Sequence, residues 1–236
     1  MRRTPIRAAT AAKAAIAAAA AGGLIVGCAP VKMGAAATVG SERITIGQLD
    51  SEVSQLNKAY QPYANAVQLT AAQMPKEVLS WLIRFQVRDD MARAEGLSVS
   101  RTQEQQALAD IYSQAQAQAA QAGVNNVSLN ELAVANGLPP DLLNQLGHYQ
   151  AIEIAYAENK NGGKLPTATS KVNAITTEFN KAECLTYKSQ PVAVNPQFGT
   201  MNYSQGQYSV VAAPDTLSRA QGSSSGSSSS GSSPSC

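Results

Sequence analysis

Pro75-Lys76-Glu77-Val78-Leu79-Ser80-Trp81-Leu82-Ile83-Arg84-Phe85-Gln86-Val87-Arg88-Asp89-Asp90-Met91 is the stretch on which the fold turns. Val78, Leu79, Leu82, Ile83, Phe85, Val87 and Met91 recur at helical spacing and make a broad apolar stripe, flanked by Trp81. Pro75 suits a first helical turn, where its missing N–H is no loss. Gly96 is a natural left-handed stop. Arg84, Arg88, Asp89, Asp90 and Arg93 are expected mostly on the opposite, solvated side. A stripe this long and bulky has to be covered, so this helix is the expected organiser of the core.

Working outward, Thr45 with Gln48 three residues on reads as a capping box, followed by Leu49, Val53 and Leu56 on a helix ending near Tyr60. Ser100 with Gln103 opens a helix to about Gln121. Its inward face of Leu108, Ile111 and Ala115 is weak, and its Gln/Ala-rich second half is compatible with a mobile arm. Ser128 with Glu131 begins a short helix that stops at Asn136-Gly137. Leu142, Leu143, Leu146, Tyr149, Ile152 and Tyr156 line the next helix. The last runs from about Thr169 to Cys184, with Val172, Ile175 and Phe179 inward. Ala35 to Ile46 reads as a hairpin turning near Gly40-Ser41, and Val192-Ala193-Val194 as a short strand. An isolated strand is not stable, so the two are expected to pair. The expected class is mainly α: five to six helices, with a small β element joining about 37–46 to about 191–195.

The leader has its own chemistry. Arg2, Arg3, Arg7 and Lys13 precede an uncharged run from Ala14 to Val26, and no acidic residue comes before Glu42. A basic region, a short apolar region and a small-residue processing point are the parts of a signal peptide. The run is too short to span a bilayer, which takes about 20 residues. Ile25-Val26-Gly27-Cys28 resembles the lipobox of bacterial lipoproteins. That resemblance implies cleavage before Cys28 and a covalent diacylglycerol on its sulfur, holding the chain at the extracytoplasmic face of the cell membrane. The expected organisation is 1–27 signal peptide, 28–36 tether, 37–200 helical domain, 201–220 extended segment and 221–236 a Ser/Gly tail expected to be disordered.

The chain has 18 basic and 16 acidic side chains. Four basic ones lie in the leader, so the remainder carries a net charge of about −2. Such a balance gives no electrostatic footprint for nucleic acid. His148 is the only histidine and reads as a partly exposed helix side chain rather than a catalytic base. It has no companions from which to assemble a zinc site. Asp89 and Asp90 point some 100° apart on a helix and share no site, and Gly162-Gly163-Lys164 is a loop rather than a phosphate cradle. No catalytic residue, metal, cofactor or small-molecule substrate is expected. Cys184 and Cys236 could pair in an oxidising exterior; a free, inert Cys184 is the other reading.

Val39-Gly40, Arg43-Ile44-Thr45-Ile46, Leu79-x-x-Leu82-Ile83, Ala94-x-Gly96-Leu97-Ser98-Val99-Ser100 and Val194-Asn195-Pro196-x-Phe198-Gly199 together resemble the N-terminal domain of SurA/PrsA-like chaperones. The similarity is to the actinobacterial lipoproteins labelled as SurA N-terminal-domain proteins, over roughly Ala37 to Thr200. It implies a helical domain completed by its chain ends that binds unfolded exported polypeptides. The parvulin isomerase domain of many members has no counterpart in the helical 136–190 interval. Trp81, Phe85, Tyr60, Tyr63 and Tyr149 are the candidate client-binding rings, unless the core consumes them. The alternative function is that of a structural or adaptor lipoprotein holding one envelope partner.

Overall fold

The computed structural model describes residues 33–124, 127–203 and 208–213. In chain order the elements are β1 (Ala35–Val39), β2 (Glu42–Thr45), α1 (Ile46–Tyr60), α2 (Met74–Ala94), α3 (Arg101–Gln121), α4 (Leu129–Ala135), α5 (Leu143–Lys160), α6 (Thr169–Ser189), β3 (Val192–Val194), β4 (Thr200–Asn202) and β5 (Ser209–Val211). Single 3-10 turns at Gln61–Tyr63 and Pro140–Leu142 redirect the chain after α1 and before α5.

The chain ends close on each other. β1 lies between β2 and β3 in a three-stranded antiparallel sheet. Ala37 stands opposite Val194, Thr38 opposite Ala193 and Val39 opposite Val192. Beyond the strand, Asn195 continues the seam: its N–H donates to Ala36 O at 2.8 Å and its side-chain amide to Ala35 O at 3.2 Å. The β1–β2 turn uses Gly40 at φ 54°, a left-handed conformation that glycine adopts without penalty. Its N–H donates to Pro191 O at 3.1 Å, and a side chain there would collide with Gln190. Ala35 and Ala36 are fully buried, so the domain begins inside the stretch expected to be tether. The small side chains let α2 approach the sheet.

α2 is the centre of the fold. It buries Val78, Leu79, Leu82, Ile83, Phe85, Val87 and Met91, and also Ser80 and Arg88. A helix buried on several sides has neighbours all round. Its first half belongs to the main core with Leu49, Leu56, Val134, Leu138 and Tyr187. Its end joins a second cluster of Met91, Ala92, Ile152, Tyr156, Ile175 and Phe179, shared with α5 and α6. Fully buried Leu79 and Ile83 are each worth about 2–5 kcal/mol against alanine.

The structure departs from the sequence reading in several places. Arg88, expected on a solvated face, is 4 % exposed, because α6 packs over that side and supplies Glu183. Val172, expected inward, is exposed, one turn ahead of buried Ile175 on a helix whose first turn overhangs the core. Residues after 200, expected to form an extended segment, return as the β4–β5 hairpin. Tyr208 stacks on Tyr187 with ring centroids 3.9 Å apart. Two α2 side chains fasten this hairpin: Ser80 Oγ accepts from Val210 N–H at 2.8 Å, and Arg84 Nε donates to Tyr208 O at 2.8 Å. Of the three expected capping boxes, that of Ser100 and Gln103 is complete, whereas Thr45 and Ser128 each make only the forward bond.

Candidate functional site

Three of the five candidate rings meet. Trp81 and Phe85 lie one turn apart on α2, with centroids 5.6 Å apart. Tyr149 on α5 closes the group, edge-on to Trp81 at 6.2 Å and to Phe85 at 5.7 Å. Such contacts add about 0.5–1.5 kcal/mol each beyond burial. The Arg88 guanidinium lies 3.4 Å from the Tyr149 ring centroid. Burial is the main cause that pushes the Tyr149 hydroxyl up to about 12, so it stays a neutral phenol. Trp81 is fixed by donation from Nε1 to Asn136 O at 2.9 Å. Phe85 is nearly all core, while Trp81 and Tyr149 remain half-buried.

Tyr60 and Tyr63 are elsewhere. Tyr60 donates its hydroxyl to Val67 O at 3.1 Å, tying down the α1–α2 connection. The Tyr63 hydroxyl lies 3.2 Å from Ser128 Oγ at the head of α4. Their polar ends serve loop closure, and neither joins the Trp81 group.

Beside Trp81 and Tyr149 a cavity of about 310 Å³ opens between α3, α4 and α5. Ile111 and Ala115 of α3, Leu129 and Leu132 of α4, and Leu143 and Leu146 of α5 line it, all half-buried. Apolar side chains that are neither covered nor free are the mark of a groove able to take an apolar guest. Sequence reasoning found the two rings and missed the aliphatic walls. The available signal was the weak inward face of α3: residues too apolar for solvent and too few for a core.

α3 is packed along α5 rather than swinging free. The two helices approach closely at Gly147, where a β-carbon would come within 2.6 Å of Glu104 O. His148 then bridges three helices: Nδ1 lies 2.7 Å from Glu104 Oε1 on α3 and Nε2 3.2 Å from Asp89 Oδ1 on α2. Burial raises the Asp89 carboxyl above its ordinary value, against the opposing pull of His148 and Arg93. Asp90 instead pairs with Arg93, so the two adjacent aspartates serve different partners. This cluster holds helices in place and contains no nucleophile.

Cys184 is disulfide-bonded, which sets aside the free, inert thiol. Cys28 and the preceding Ile25, Val26 and Gly27 lie outside the described residues, as does Cys236. Among the described residues, no helix is long and apolar enough to cross a membrane, and no cluster of His, Cys, Asp and Glu could hold a metal ion.

A family model described as a SurA-like N-terminal domain matches residues 6–152, more than half of the chain. The match begins in the basic leader and ends inside α5, one residue past Ala151. No curated protein and no solved structure matches the chain.

Proposed function

The chain belongs to the SurA-like N-terminal domain family, and from that membership we propose that it is a membrane-anchored chaperone that holds unfolded or partly folded exported polypeptides. The family's domain is a non-catalytic chaperone domain distinct from the parvulin isomerase domain, and this domain is not an enzyme. The observation that carries the reading is the α3–α4–α5 groove. It offers half-buried aliphatic walls and two rings: Trp81, held by its hydrogen bond to Asn136 O on the groove wall, and Tyr149, held against the Arg88 guanidinium. Rigid rings lose little freedom on binding, and aliphatic walls accept many sequences. Phe85 supports the two rings from the core side. Tyr60 and Tyr63 would contribute only from a separate face.

Placement at the extracytoplasmic face rests on the leader chemistry. Ile25-Val26-Gly27-Cys28 supplies a sulfur for diacylglycerol, and the family match reaches back into that leader. Two acyl chains suffice for stable attachment where one gives only marginal binding.

Crosslinking in cells from a photoreactive residue replacing Trp81 tests the reading. A broad distribution of crosslinked exported proteins is expected. A single dominant adduct would assign the groove to one partner and make the chain an adaptor.

A further inference from the structure

A second cavity, of about 400 Å³, lies along the edge of the three-stranded sheet. It touches Glu42, Arg43 and Ile44 in succession. Successive strand side chains point to opposite faces, so a space in contact with three in a row meets the strand at its edge. Among the described residues β2 is the edge strand of this sheet, next to β1 alone. The Ile46 N–H donates inward to Gly34 O at 3.0 Å. By the period-two alternation of an extended chain, the N–H of Arg43 faces the outer edge.

Helices form the opposite wall: Leu82, Phe85 and Asp89 from one face of α2, and His148 and Tyr149 from α5, with Glu104 of α3 at the end. The space is therefore bounded by the strand edge on one side and by helices on the other. Its carboxylates, Glu42, Asp89 and Glu104, outnumber its bases, Arg43 and His148. Desolvation already disfavours charge on Asp89, and an incoming cation would relieve it.

We propose that the outer edge of β2 takes an extended polypeptide segment as a fourth strand, with a basic side chain of that segment directed at Asp89 and Glu104. The inference rests on the polypeptide-binding reading and adds a second, main-chain mode of capture with a preference in charge. Main-chain pairing supplies affinity without demanding a sequence, and the acidic wall supplies the bias.

The test is fluorescence anisotropy with a labelled heptapeptide of alternating valine and threonine around one central arginine, titrated with the full chain in detergent. Binding is expected. Arg43→Pro, which removes the outward N–H while sparing the β1 ladder, should weaken it about three- to tenfold, the worth of one backbone hydrogen bond. Arg43→Ala should leave it unchanged or tighter. A peptide N-methylated along its pairing edge checks the same bond without altering the protein and should bind similarly weakly. A central glutamate should also weaken binding. Indifference to N-methylation, equal affinity for the arginine and glutamate peptides, or no binding at millimolar concentration overturns the proposal. So does self-association lost in Arg43→Pro without peptide binding, which gives the edge to a second copy. Aggregation suppression through the Trp81 groove is read separately. Holding without peptide binding sinks this inference alone, and peptide binding without holding sinks the wider reading.

Discussion

Arg88 and Glu183 meet inside the protein, with Nη2 2.9 Å and Nε 3.1 Å from the same carboxylate oxygen, Oε1. The guanidinium also faces Tyr149 on one side and Phe179, 4.7 Å from its ring centroid, on the other. The pair sits between the two apolar clusters and joins α2 to α6. Taking both charges out of water is costly, but leaving one behind costs more. Arg88→Met is expected to lose about 3–5 kcal/mol, and the double variant Arg88→Met with Glu183→Leu to recover most of it. Chemical denaturation of the two variants checks this; a double variant as weak as the single would show that the ion pair itself carries the stability.

Ile111→Gln puts an amide in the wall of the groove at a half-buried position on α3. Stability should change by less than about 1 kcal/mol. Suppression of aggregation of an unrelated unfolded protein should fall about threefold or more, and unchanged suppression would move the client surface elsewhere.

Gly147→Ala tests the approach of α3 to α5. In an open helix this exchange gains about 1 kcal/mol. Here the new methyl meets Glu104 O at 2.6 Å and Leu108 Cβ at 3.3 Å. Overpacking costs about 1–3 kcal/mol, so a net loss is expected, visible as a lower melting temperature. A gain would mean that α3 yields freely.

Glu52 has a buried carboxylate oxygen, Oε2, without a hydrogen bond. Burial first, and the Asp141 carboxylate second, raise it above its ordinary 4.5. The folded state therefore holds this proton more tightly than the unfolded chain. Its contribution to stability is full below pH 4.5 and is lost as pH rises through the folded-state value. Glu52→Gln should stabilise the protein at pH 7 by only about a few tenths of a kcal/mol, because solvent screens most of this partly exposed side chain. The advantage should shrink towards pH 4, as denaturant midpoints at the two pH values would show.

Cys184 is disulfide-bonded, and only Cys28 and Cys236 remain in the sequence to bond it. If lipid occupies the Cys28 sulfur, Cys236 is the partner. Peptide mapping without reductant should find Cys184 linked to Cys236, and an acyl mass on the Cys28 peptide. A Cys28–Cys184 link would contradict the lipid anchor.

What the sequence discloses here depends on the range of the forces involved. α2 is legible because seven large apolar residues repeat within it, and the β1–β3 pairing is legible because Val192-Ala193-Val194 is β-prone and the Ala37–Ile46 segment is the one other strand signal in the sequence. The β4–β5 hairpin is hidden: each strand has three residues, and what holds them is distant, Tyr187, Ser80 and Arg84. Arg88 misleads for the same reason, since its burial is decided by α6. At the site, Trp81 and Tyr149 stand out by residue type. Ile111, Leu132, Leu143 and Leu146 look like ordinary core until the packing of α3 on α5 leaves a space between them.

The pairing of Val39 with Val192 has a consequence in time. During synthesis the first strand emerges with only β2 to pair with, and nearly the whole protein must follow before its second partner arrives. Contacts so far apart in the chain form late. A copy cut short after α5 would lack α6 and β3 together, leaving Ala37 paired on its β2 side alone and the second cluster without Ile175 and Phe179. Until its own synthesis is complete, a molecule of this kind is in the same condition as the chains it would guard.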